Sequence, residues 1–293
     1  MLLPVLDTAP GTSLWTAWIA RPQVMAPLTL LIAAYTIAVI RLHRAGGRRP
    51  AGWRIGCYYA GMALLIVALL GPLDVFNDTV FFLHMLQHMI LIQISAPLIA
   101  LGQPLQVVVR ALPPRHSRRL AKIVAGHGNV RRWTDRLLHP VPAFLLFNVV
   151  HGLWHIPTLY QAVLDNELLH DVQHLSFFIT SYLCWWLIVD PMPRHRRLPI
   201  PWALGPVFLT SMAASAIGAV LTLADNVVYP RYQAPDPIWG LSGVVDQQIG
   251  GLIMWVGGGL LYFAVLLIMV GRALGSGSEE PKPDDSRYQP SMH

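Results

Sequence analysis

The pattern His-x-x-x-His occurs three times in this chain: His84-Met-Leu-Gln-His88, His151-Gly-Leu-Trp-His155 and His170-Asp-Val-Gln-His174. On a helix, residues four apart share a face about 6 Å apart along the axis, so each pair stacks two imidazoles. For 12 histidines in 293 residues, chance supplies about 0.5 such pairs. All three lie in strongly apolar stretches, where a polar ring is costly unless it binds something. One such pair on its own reads more readily as hydrogen-bonded helix glue than as a site. Three point to a site.

Neutral imidazole binds Zn, Cu, Fe and Ni, and a pair at i, i+4 can chelate one ion. The zinc-protease pattern HExxH is missing, since Asp171 rather than Glu follows His170. Ligation of haem by two histidines leaves a third pair surplus. Met85 and Met89 lie about 100° round the helix from His84 and His88. Thioethers favour Cu(I), although Met also fills helix contacts. Copper therefore ranks ahead of zinc, iron and haem as the bound species. Asp74, Asp78, Asp171 and Asp246 are candidates for fixing the imidazole tautomers, and each also suits a helix cap or a solvated loop.

The elements that must carry these residues are membrane helices. The chain is 54% hydrophobic and 12% charged, against about 25% charged in a soluble domain. Seven apolar segments are long enough for helical spans, near residues 23–41, 53–71, 80–101, 140–157, 168–189, 200–223 and 247–270. Pro97 and Pro206 fall inside two of them, where kinks are expected. The expected fold is an all-α polytopic membrane bundle over residues 1–274, followed by a disordered tail over 275–293 rich in Gly, Ser, Pro and acidic residues. The net charge of +6 reflects basic residues gathered in loops, which argues against a nucleic-acid footprint. Cys57 and Cys184 form no CxxC motif and imply no disulfide framework. The glycine groups at 250–251 and 257–259 suit close helix approach.

Orientation follows from the short loops. Arg41, Arg44, Arg48, Arg49 and Arg54 fill the first; Arg110 to Arg136 make the third strongly basic; Arg194, Arg196 and Arg197 fill the fifth. The intervening loops carry Asp74 and Asp78, then Asp165 and Glu167, then Asp225, Asp236 and Asp246 opposed by Arg231. The positive-inside rule puts the N-terminus outside and the C-terminus in the cytoplasm. The Arg- and Leu-rich stretch after Pro113-Pro114 reads as an amphipathic helix on anionic lipid. Counting turns from the outer surface, His84, His155 and His170 form an upper tier, and His88, His151 and His174 a lower one. All six are candidate metal ligands facing the exterior.

Several runs resemble the multi-spanning CtaG family of cytochrome c oxidase assembly factors: Gly71-Pro-Leu-Asp74, Phe82-Leu-His-Met-Leu-Gln-His-Met89, Ala96-Pro-Leu and Gly102-Gln-Pro. So do His151-Gly-Leu-Trp-His155, His170-Asp-Val-Gln-His174 and Asp246-Gln-Gln-Ile-Gly-Gly-Leu-Ile-Met-Trp255. The resemblance implies a multi-pass protein of the bacterial plasma membrane that helps mature a haem–copper oxidase by supplying copper. Its partners would be an oxidase subunit or a copper chaperone. The six histidines and Asp246 fall within the matching blocks. A non-catalytic metallochaperone is thus the leading expectation. A membrane metal-dependent oxidoreductase or hydrolase, and a haem-binding electron carrier, are the alternatives. Sparse polar residues in the inner half argue against a transporter.

Overall fold

Apolar helices make up most of the computed structural model, which describes residues 17–46, 49–118, 139–189, 200–236 and 238–276. They are α1 (Pro22–Arg44), α2 (Gly52–Leu70), α3 (Pro72–Val75), α4 (Phe81–Met89), α5 (Ala96–Leu101) and α6 (Pro104–Ala111). After the third loop come α7 (Pro140–Trp154), α8 (Pro157–Leu164), α9 (Glu167–Val189), α10 (Ile200–Leu223), α11 (Gly243–Leu252) and α12 (Gly258–Ser276). Proline opens α1, α3, α6, α7 and α8, where its missing N–H has no intrahelical partner to lose.

Six stretches among the described residues are long and apolar enough to cross a bilayer: Pro22–Arg44, Gly52–Val75, Phe81–Ala111, Glu167–Val189, Leu204–Leu223 and Gly243–Gly271. Outward-facing Leu30, Leu145, Leu209, Val220 and Leu260 are between 62% and 69% exposed. Apolar side chains so widely presented need hydrocarbon around them. The chain is all-helical, and its six long apolar helices are consistent with a polytopic membrane bundle.

The segment expected over 140–157 divides. Helix α7 has 15 residues, about 22 Å of helix against about 30 Å of hydrocarbon. It stops with His155 at its C-cap, and Pro157 starts α8. The third segment is longer than expected and carries a π-helix at Ile90–Ser95 just before Pro97. Across the wider turn each N–H reaches the carbonyl five residues back, and Pro97 has none to give that of Ile92. The Ile92 carbonyl accepts instead from Ser181 Oγ at 2.7 Å and Trp185 Nε1 at 3.0 Å. A second π-helix, Ile253–Gly257, joins α11 to α12.

Glycine sets how closely α11 sits. A Cβ on Gly251 would lie 2.7 Å from the Gly218 carbonyl oxygen, and one on Gly250 would lie 2.5 Å from the Phe81 ring. Helix α11 is thus wedged between α10 and α4. Gly258 meets Gln93 and Met89, whereas Gly257 faces open space. The third-loop arginines from Arg119 onward, Arg48, and the fifth-loop arginines lie outside the described residues, as does the tail from 277; α12 itself runs to Ser276.

Candidate metal centre

Two helices carry four of the six imidazoles into contact. His84 and His88 project from α4, and His170 and His174 from α9. His84 Nε2 and His88 Nε2 are 3.0 Å apart. Ring centroids lie 5.2 Å apart for His84–His170 and for His88–His174, and 4.1 Å for His170–His174. One ligand atom from each of His84, His88 and His174 falls within 4.8 Å of the other two. Tetrahedral zinc, with Zn–N of about 2.0–2.1 Å, separates its nitrogens by roughly 3.4 Å. Small rotamer adjustments would close the triad to that size. Asp74, His170 and His174 form a second group meeting the same 4.8 Å limit.

The expected tiers of three hold only in part. His84 meets His170 above, and His88 meets His174 below, but the third ring of each tier meets Phe177 instead. Phe177 lies 4.9 Å from His88, 5.6 Å from His151 and 6.2 Å from His155, centroid to centroid. The two α7 rings lie against each other, tilted by 46°, with centroids 4.6 Å apart. Spacing fixes depth along a helix; it does not fix which way the face turns.

Many imidazole nitrogens here have no protein partner. Among the described residues, these buried and unpartnered atoms include His88 Nδ1, both nitrogens of His151 and His174, His155 Nε2 and His170 Nε2. Buried polar atoms are nearly always paired, so this concentration indicates groups that bind something else.

His84 is held from behind by residues the sequence did not single out. Its Nδ1 lies 3.0 Å from the Tyr232 hydroxyl and 2.9 Å from the Tyr160 hydroxyl. Tyr232 donates its single proton to the Asn77 carbonyl. With that proton committed, its oxygen is free to accept from His84 Nδ1, the tautomer in which Nε2 keeps its lone pair toward His88. Tyr160 completes the chain by donating to the Tyr232 oxygen at 3.3 Å. Burial holds both hydroxyls well above the ordinary phenol range, so both stay protonated.

The four candidate carboxylates do different work. Asp246 accepts from the Phe81 and Phe82 backbone N–H groups, each at 2.8 Å, and so caps α4 from another helix. Asp74 accepts from Gln87 Nε2 at 2.8 Å and from Arg21 at 3.0 Å. Arg21 also pairs with Asp171, tying the start of α1 to α3 and to the α9 histidines. Asp78 makes an exposed pair with Arg231 at 3.2 Å. Met85 packs with Phe81, Tyr160, Tyr229 and Tyr232, and both Met85 and Met89 turn toward glycines of α11 and α12. The donor set at the cluster is imidazole, with the Asp74 carboxylate within reach of His170 and His174.

Two signals in the sequence could have separated these parts. His84 to His88 and His170 to His174 share the form His-x-x-Gln-His, with Gln87 and Gln173 both fully buried, and these are the two pairs that meet. The third pair has Trp154 in that place. Arg21, beside Pro22 on the side otherwise poor in basic residues, is the other.

A membrane bundle enclosing a buried imidazole cluster defines the class. Residues 33–276 match the family described as cytochrome c oxidase caa3 assembly factor (Caa3_CtaG), and the chain belongs to it. It is also similar to uncharacterized proteins of Mycobacterium bovis and Mycobacterium tuberculosis, each 26% identical over 268 residues. An uncharacterized protein of Mycobacterium leprae is 26% identical over 254 residues, which is 82% of this chain and 37% of the relative. The first two alignments cover 87% of this chain but only 38% of each relative, so the chain spans well under half the length of these proteins. No solved structure matches it.

Proposed function

We propose that this chain binds a transition metal, copper, through His84, His88 and His174 with His170 beside them, and delivers it as cargo during assembly of a cytochrome c oxidase. The observation that carries this is the convergence of three imidazole ligand atoms within 4.8 Å at a place where buried ring nitrogens lack partners. The choice of copper is supported by the family's oxidase and by the three imidazoles of His84, His88 and His174, which copper accepts. The role is handover rather than turnover, with an oxidase subunit or a copper chaperone as partner. Seven spans, with α7 crossing a locally thinned bilayer and the cluster opening outward across a bacterial plasma membrane, complete the proposal. Loop charges support that orientation.

Purified protein is expected to retain copper. Replacing His88 and His174 together with Ala should remove the copper held at this cluster, so that less copper is retained, and lower oxidase activity in membranes of cells that depend on this protein. Full copper retention by that variant, with its helix content intact, would refute the assignment.

A further inference from the structure

The α7 pair is built differently from the α4–α9 cluster. His155 Nδ1 lies 2.7 Å from the His151 carbonyl oxygen. A carbonyl only accepts, so Nδ1 carries the proton and Nε2 is a bare lone pair, buried and without a partner. His151 is 7% exposed, and both its nitrogens are unpartnered. The Tyr229 hydroxyl donates to the His155 carbonyl at 3.0 Å, fixing the end of the helix that carries both rings. Among the described residues, no carboxylate, cysteine or further histidine joins this pair to make a group of three.

We propose that the six histidines make two metal positions: the cluster on α4 and α9, and a separate two-nitrogen position at His151 and His155 that takes copper(I), with the Phe177 ring as the partition. This rests on the metal-binding reading above. Charge separates the two positions. The cluster has Asp74 and Asp171 at hand, offset by a single Arg21, whereas the α7 pair offers neutral donors alone. Desolvation cost rises with the square of the charge, so neutral donors within hydrocarbon hold a monovalent ion more readily than a divalent one. Phe177 is fully buried and touches rings on both sides, and among the described residues neither His151 nor His155 joins the ligand groups of the cluster.

The test uses full-length protein in detergent under anaerobic conditions. It is saturated separately with ascorbate-reduced copper and with zinc, desalted, and assayed for metal per chain. The expected counts are two copper(I) ions and one zinc ion. Replacing His151 and His155 with Ala should leave one copper and one zinc. Replacing His88 and His174 with Ala should leave one copper and no zinc. A third imidazole placed at the partition by Phe177→His should raise the zinc count to two. A wild-type count of one copper, loss of all copper in both double variants, or an unchanged zinc count in Phe177→His would overturn the two-position arrangement while leaving metal binding intact. A wild-type chain that takes up neither metal would instead remove the reading beneath it. The wild-type copper-to-zinc ratio needs no variant to fold.

Discussion

At the scale of single residues, the orientation of His84 depends on one hydroxyl proton. Tyr232 gives that proton to Asn77, so its oxygen faces His84 as an acceptor. Tyr232→Phe removes the acceptor, frees the ring to change tautomer, and leaves the Asn77 carbonyl unpaired. Outer hydrogen-bond partners of metal-binding histidines are worth about 10–100-fold in affinity. Tyr232→Phe is therefore expected to weaken copper binding by about that factor in a competition titration against a chromophoric chelator, with metal stoichiometry unchanged. An affinity equal to that of wild type would show that the tautomer is set elsewhere. Neither tyrosine was visible as a site residue in the sequence. Tyr160 lies 76 positions and Tyr232 148 positions from His84, and nothing in local spacing links them. The histidines themselves were legible, because an i, i+4 pair in an apolar run carries its own physical rationale.

At the scale of elements, α4 begins where a carboxylate from α11 meets its first two free N–H groups. Asp246→Ala should lower stability by about 0.5–2 kcal/mol, the range for a lost N-cap. Asp246→Asn, which keeps an acceptor, should cost less; thermal unfolding in detergent reads both. Arg21 joins three elements through the buried Asp74 and the half-buried Asp171. Removing it as Arg21→Met strands both charges, at about 3–5 kcal/mol for a broken buried pair. Adding Asp74→Asn and Asp171→Asn should recover part of that loss, and no recovery would show that Arg21 acts by packing alone. Helix existence was legible from apolar run length, and Pro157 marked the end of the fourth run. The π-helix before Pro97 was not: proline announces a disturbance, whereas its form depends on Ser181 and Trp185 in a different helix. The turning of the α7 face toward Phe177 was likewise beyond reach of spacing.

At the scale of the whole molecule, the bundle encloses its polar chemistry among α4, α7 and α9 and presents Leu and Val outward. The six long apolar helices and the shorter α7 occupy the places where apolar segments were expected. The proposed orientation makes a direct prediction in a chain with Cys57 and Cys184 replaced by Ser. Asp78→Cys and Asp165→Cys should react with a membrane-impermeant maleimide added to intact cells, and Arg49→Cys only after the membranes are opened. The reverse pattern would put the cluster on the cytoplasmic side.

The most direct measurement is the X-ray absorption spectrum of copper retained by the purified chain. An imidazole cluster predicts a nearest shell of nitrogen near 2.0 Å, with the multiple scattering of histidine rings and no sulfur. In the His88→Ala, His174→Ala double variant that spectrum should fall to the single two-nitrogen environment of His151 and His155. A sulfur shell near 2.3 Å, or copper bound without ring scattering, would contradict histidine as the metal's hold on this protein.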